Sequence, residues 1–192
     1  MDVFDPDKVR ILGIDPGTSE MGVSILELDI QHRSLSVIMS TSLSVRNKDV
    51  GSDTWLNMHD PQLLRIEYLM GCITQILWNY HPHFIGCESP FMHSQPNAFE
   101  ALVRVQTALY ATIKNYDLSR SMVLVSPNEA KGAVGGILGR DANKANIRDC
   151  VLSLPIGWSQ EIDKYSLPPD AIDSIAVAVH LAKRILNNGL WA

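Results

Sequence analysis

The apolar positions of this chain change period several times, and each change marks an element. Val9 to Ile14 is a compact apolar run, and Met21 to Leu28 is a second, separated from the first by a Pro-Gly turn. They read as two strands, with Leu35 to Thr41 as a third. The polar stretch "SVRNKDVGSDTWLNMHDP" reads as a surface loop. From Pro61 onward, Leu64, Tyr68, Leu69, Cys72, Ile73, Ile76 and Leu77 recur at helical spacing, and Pro61 suits the first turn. "HFIGCE" is a short strand ending in Glu88, and Asn97 is placed to cap a helix running to about Tyr116. "MVLVS" reads as a fifth strand, after which Ser126-Pro127 opens a short helix. The Gly-rich "GAVGGILGRDAN" precedes a helix from Lys144 to Leu152. A loop through "PIGWSQEIDKYSLPP" then leads to Asp170, placed to cap an apolar helix that ends near Leu186. This order predicts an α/β fold, a mixed five-stranded sheet flanked by helices, in a single domain spanning residues 1–192.

Composition narrows the setting. Of the 192 residues, 46% are hydrophobic, yet no apolar run approaches the roughly 20 residues of a membrane span. The start, "MDVFDPDKVR", is acidic and has no basic-then-apolar layout of a signal peptide, so a cytoplasmic protein without a membrane partner is expected. Cys72, Cys87 and Cys150 are an odd set among apolar neighbours, which reads as buried thiols in a reducing compartment. The net charge of −5 taken globally argues against a nucleic-acid partner. Its distribution argues otherwise. Between Arg104 and Arg148, seven basic residues face three acids, so that window carries +4 and the remainder −9. Lys131, Arg140, Lys144 and Arg148 fall in this window, which predicts an electropositive region on an acidic body.

Four acids fall at element ends. Asp15 closes the first strand, Glu88 the fourth, and Asp170 and Asp173 begin the last helix at a spacing that puts both on one helical face. Taken singly, each has an ordinary reading: Asp15 as a turn former before Pro-Gly, Glu88 as an ion-pair partner, Asp170 as an N-cap and Asp173 as a first-turn charge. If the four converge, their mutual repulsion calls for a cation. Hard oxygen ligands suit Mg2+, with Mn2+ as a substitute, and a carboxylate cluster holding two such ions clamps both oxygens of a phosphodiester displacement.

"ILGIDPGTSEMGVSIL", "IGCESPFM", the Lys131 and Lys144 segment and "PDAIDSIAVAVH" resemble, in that order, the RuvC-type Holliday-junction resolvases, from about Val9 to Lys183. The resemblance implies a ribonuclease H-like fold, a homodimer and Mg2+-dependent paired nicking of four-way junctions. It implies Asp15, Glu88, Asp170 and Asp173 as ligands of two metal ions per active site. Lys131 and Lys144 would contact the scissile region, Phe91 would be an aromatic wedge, and the helix "NAFEALVRVQTALYATI" would form the dimer. In that helix Phe99, Leu102, Val103, Val105, Leu109 and Ile113 exceed one core-facing stripe. The chain departs from the family pattern in its longer Pro155–Pro169 loop and its acidic balance. Two divalent ions would bring the net charge from −5 to about −1.

Other readings stand beside these. Phe91 and Met92 read equally as core residues, Lys131 as a solvated helix residue and Lys144 as a helix-start lysine. "GIDPGTSEMGVSI" is also similar to the first phosphate loop of actin-like kinases and ATPases, although 192 residues leave no room for the two domains that bind a nucleotide there; no nucleotide cofactor is expected. A flap or fork endonuclease of the same fold and a non-cutting junction-binding protein complete the alternatives.

Overall fold

In the computed structural model, residues 7–90, 96–136 and 144–188 are described. Three antiparallel strands come first: β1 (Lys8–Asp15), β2 (Glu20–Asp29) and β3 (Ser34–Ser44). Two short helices follow, α1 (Asn47–Val50) and α2 (Asp53–Met58), where a loop is expected from the polar sequence. Helices of one or two turns are too short to show an apolar period. The helix α3 (Pro61–Tyr80) then leads through His81–His83 into β4 (Phe84–Glu88), and α4 (Pro96–Tyr116) precedes β5 (Met122–Val125). The chain continues through α5 (Pro127–Ala133), α6 (Lys144–Ser153), β6 (Gly157–Trp158) and α7 (Pro169–Asn188).

The sheet has six strands in the order β5-β4-β1-β2-β3-β6, not the five expected. The additional strand is two residues long, paired parallel to β3 at Ser36 and Val37, and two residues cannot show alternation. β4 and β5 run parallel to β1, as a sheet built with helical crossovers requires.

Alternation along the strands explains both helical layers. Val9, Ile11, Leu26, Leu28 and Val37 face α5, α6 and α7 in one apolar cluster. Leu12, Ile14, Met21, Val23, Ile25 and Cys87 face α3 and α4 in the other. With both faces covered, β1 and β2 read as nearly continuous apolar runs. The last helix is buried on almost every side, with Ala171, Ile172, Ile175, Val177, Ala178 and Val179 each at most 2% exposed. Two caps differ from expectation. α4 begins at Pro96 and α7 at Pro169, so Asn97 and Asp170 lie inside the first turn instead of capping it.

Candidate carboxylate active site

Period two decides where the strand-end acids point. In β1, Val9 and Ile11 face α7, and Asp15 shares their parity. In β4, Phe84 faces the same layer, and Glu88 shares its parity. Ile14 pairs with Cys87, so Asp15 and Glu88 stand one step further along neighbouring parallel strands. Both carboxylates thus leave the same end of the sheet on the same face.

The last helix brings the other two acids to that end by an unusually close seat. A Cβ at Gly22 would stand 1.8 Å from the Asp170 carbonyl oxygen, and one at Gly13 would stand 2.2 Å from that of Ser174. Gly22 is itself the β-partner of Asp15. Only glycine admits the helix backbone here, and that contact sets Asp170 over the strand pair that carries Asp15.

Hydroxyls complete the seat. Ser24 and Ser174, both 0% exposed, lie with their oxygens 2.6 Å apart, while Ser24 meets Ser40 at 2.8 Å and Ser174 donates to the Ala171 carbonyl at 2.8 Å. A chain in which Ser40 donates to Ser24, Ser24 to Ser174 and Ser174 to that carbonyl satisfies every buried hydroxyl. It ties β3 and β2 to the helical turn between Asp170 and Asp173.

The result is convergence. One carboxylate oxygen from each of Asp15, Asp170 and Asp173 lies within 4.8 Å of the others, and all three residues are half-buried. Glu88 is outside this trio, although its charge and that of Asp15 both act on the neighbouring thiol of Cys87. Burial pushes that thiol up to about 12, a hydrogen bond from Gln106 opposes the rise, and the two carboxylates add to it. Gln106 on α4 also donates to the Glu88 carbonyl at 3.0 Å. The turn after Asp15 is held by Arg65, whose Nε donates to the Thr18 carbonyl at 3.2 Å. A half-buried, all-carboxylate oxygen set this tight fits a hard divalent cation, and its own charges disfavour leaving it uncompensated.

The basic residues are placed less uniformly. Lys131 is half-buried in the last turn of α5, which packs on α7. Arg148 directs its guanidinium at the chain: Nη1 donates to the Leu167 carbonyl at 2.6 Å and Nη2 to that of Tyr165. Phe91 and Arg140 lie outside the described residues, as does the side chain of Lys144. In α4, Val105, Leu109 and Ile113 are fully buried, and of the six apolar positions expected to exceed the core stripe only Val103 is exposed. The outward face carries Val103, Thr107, Tyr110 and Ala111 instead.

Sequence reasoning missed Gly13, Gly22, Ser24, Ser174 and Gln106. Glycine inside a strand is a recognisable sign of close backbone approach, but a buried serine or glutamine carries no such sign.

Similarity to known proteins extends over most of the chain. Residues 11–180 match the family model for crossover junction endodeoxyribonuclease RuvC. A crossover junction endodeoxyribonuclease RuvC of Dehalococcoides mccartyi is 28% identical over 181 residues, covering 94% of this chain and 96% of that protein. Among solved structures, T. thermophilus RuvC in complex with a Holliday junction substrate superposes with TM-score 0.69 at 13% identity, covering 94% of this chain and 97% of that one. The yeast mitochondrial Holliday junction resolvase gives TM-score 0.65 at 16% identity, covering 94% and 82%. The structural likeness establishes the ribonuclease H-like fold, and the family match across nearly all of the sheet and its helices establishes that the chain belongs to the crossover junction endodeoxyribonuclease RuvC family.

Proposed function

We propose that this protein is a homodimeric endonuclease that resolves four-way DNA junctions by paired symmetric nicks. The observation that carries the reading is the convergence of Asp15, Asp170 and Asp173 within 4.8 Å, with Glu88 leaving the same end of the sheet. A relative named a crossover junction endodeoxyribonuclease and a solved complex with a Holliday junction substrate support the choice of substrate.

Asp15, Glu88, Asp170 and Asp173 would hold two Mg2+ ions, with Mn2+ able to substitute. Bound by these residues, such ions would supply a water of lowered pKa and positive charge to offset that of the leaving oxygen. The chain's own residues do the rest. The glycine seat and the serine chain keep the carboxylates from spreading under their repulsion, so the site is preorganised. Lys131 offsets charge that develops on the scissile phosphate, Lys144 contacts the scissile region with it, Phe91 serves as the aromatic wedge, and Arg140 and Arg148 bind DNA, Arg148 through the N–H groups that its bonds to the Leu167 and Tyr165 carbonyls leave over.

A four-way junction has two strands to cut, and one site per chain reaches one of them. Pairing through the outward face of α3 and α4 supplies the second site. That face carries Tyr68, Trp78, Val103 and Tyr110, exposed by 48%, 58%, 39% and 52%. It also carries Gly71, where a Cβ would meet nothing within 4 Å of its own chain.

The test is a cleavage assay with Mg2+ on a four-way junction, a fork, a flap and a linear duplex. Two symmetric nicks in the junction, abolished by a chelator, are expected. Preferential cutting of the fork or flap would reassign the substrate while keeping the site.

A further inference from the structure

The segment between α6 and α7 is a pinned arm that ends at the carboxylates. β6 pairs with Ser36 and Val37, and Val37 is linked through Leu26 to Ile11, four residues short of Asp15. From Trp158 the chain climbs to Pro169, where Asp170 sits on Gly22. The climb is tied throughout. Ser159 N–H donates to the Val37 carbonyl at 3.0 Å, and Ile162 N–H to that of Ser159 at 3.1 Å. Asp163 Oδ1 accepts the Tyr165 N–H at 3.1 Å, and the Asp163 carbonyl accepts the Ser166 N–H at 3.1 Å and hydroxyl at 3.0 Å. Arg148 clamps the carbonyls of Tyr165 and Leu167. Trp158, Ile162 and Leu167 anchor the arm in the apolar cluster beneath α7.

The large aromatic side chain of Tyr165 is left out of this packing. Tyr165 is 70% exposed, and the Lys164 ammonium lies 5.1 Å from its ring centroid and 5.8 Å from that of Trp158. An aromatic ring so exposed adds little to the fold, and presented beside a cation on a backbone held at so many points it suits a ligand with a π face and a negative charge. Its position narrows the ligand further. Tyr165 precedes Asp170 by five positions, so their Cα atoms lie at most about 17 Å apart. That is about five nucleotides at 3.4 Å per step along one strand.

We propose that Tyr165 and Lys164 form a strand-holding contact beside the active site: the ring stacks on an unstacked base of the strand being cut, and the ammonium meets a neighbouring phosphate. This rests on the reading of the protein as a nuclease of branched DNA. Asp163, the nearest acid in sequence, has its Oδ1 engaged by the Tyr165 N–H.

The test uses the full chain carrying Asp15→Asn to stop cutting, with a four-way junction that has 2-aminopurine at each position within five nucleotides of the crossover. Tyr165→Ala should weaken junction binding about 5- to 100-fold and abolish the fluorescence change at one or two positions, with unchanged thermal melting. Tyr165→Phe should bind within twofold of the parent. Lys164→Gln should lower the salt slope of log K by about one. Tyr165→Ala that binds within twofold of the parent with its fluorescence change intact overturns the contact and leaves the nuclease reading standing. A wild-type chain that neither binds nor cuts any branched substrate overturns both.

Discussion

The two faces of the sheet are closed by helices in opposite ways. On one face α7 rests with its carbonyls against Gly13 and Gly22, and the hydroxyls trapped between helix and sheet are bonded to one another. On the other face α3 and α4 reach the sheet through large side chains such as Leu69, Ile73, Leu77, Val105 and Leu109. They keep Tyr68, Trp78, Val103 and Tyr110 turned outward. A backbone seat fixes distances to a fraction of an ångström, because no side chain stands between to rotate. A side-chain layer tolerates small shifts and leaves apolar surface over. The seat is where acids from separate elements must keep one spacing, and the layer is where the second subunit of the proposed dimer would dock.

Removing charge from the seat should have the largest effect. Asp15→Asn and Asp173→Asn should each slow junction cleavage by roughly 10²–10⁴, while gel-shift affinity for the junction holds or rises. Wild-type cleavage by Asp15→Asn would remove the metal assignment altogether.

One methyl group placed on each face then separates seat from layer. Gly22→Ala drives a Cβ into the Asp170 carbonyl, and an overpacked site of this kind costs about 1–3 kcal/mol in urea unfolding. Cleavage should fall with it, since Asp170 must move. Gly71→Ala meets nothing in its own chain and sits in a helix interior, so the unassociated chain should gain about 0.4–1 kcal/mol. Equal destabilisation by both would show that the two faces are packed alike.

A charge on the outward face should change association more than folding. Tyr110→Asp, at a position 52% exposed, should shift stability by no more than about 0.5 kcal/mol. Sedimentation should then report a monomer that nicks junctions singly. A wild-type chain that sediments as a monomer both alone and on a junction contradicts the dimer.

The smallest effect is a pH dependence divided between the faces. Burial holds His83 below the ordinary histidine value of 6.5, and Arg120 and Arg10 lower it further. Its Nδ1 accepts the Arg10 N–H at 3.0 Å, which requires the neutral ring. Burial likewise lowers His180 on α7, against the charge of Glu129 and with that of Arg184. Both groups prefer to be neutral when folded, so the unfolded chain takes up protons first. Stability should be level above pH 6.5 and decline as pH falls below it, read as the urea midpoint between pH 7.5 and 5.5. His83→Gln should flatten part of that decline, and an unchanged profile would mean that the ring titrates alike in both states.

Much of this was legible in one dimension, for a physical reason: burial repeats with the local period. The apolar runs of β1 and β2, the helical spacing of α3 and the acids at Asp15, Glu88, Asp170 and Asp173 could be placed because strand parity and helical spacing are properties of neighbouring residues. β6 and the short helices α1 and α2 escaped, being shorter than the period that would reveal them. In α4 the apolar positions were visible but their direction was not. Val105 and Tyr110 are both compatible with an inward face until α3 and the sheet choose the stripe between them, burying the first and exposing the second.

Tertiary structure alone decided that Asp15 meets Asp170 and Asp173 while Glu88 stands outside that trio. It did so through contacts between residues far apart in the chain, Gly22 under Asp170 and Ser24 against Ser174, which no local pattern encodes. The same holds for Tyr165. Its sequence reads as an ordinary loop, and the clamp from Arg148 and the pairing of β6, both contacts with distant parts of the chain, tie down the backbone that holds the ring out to solvent.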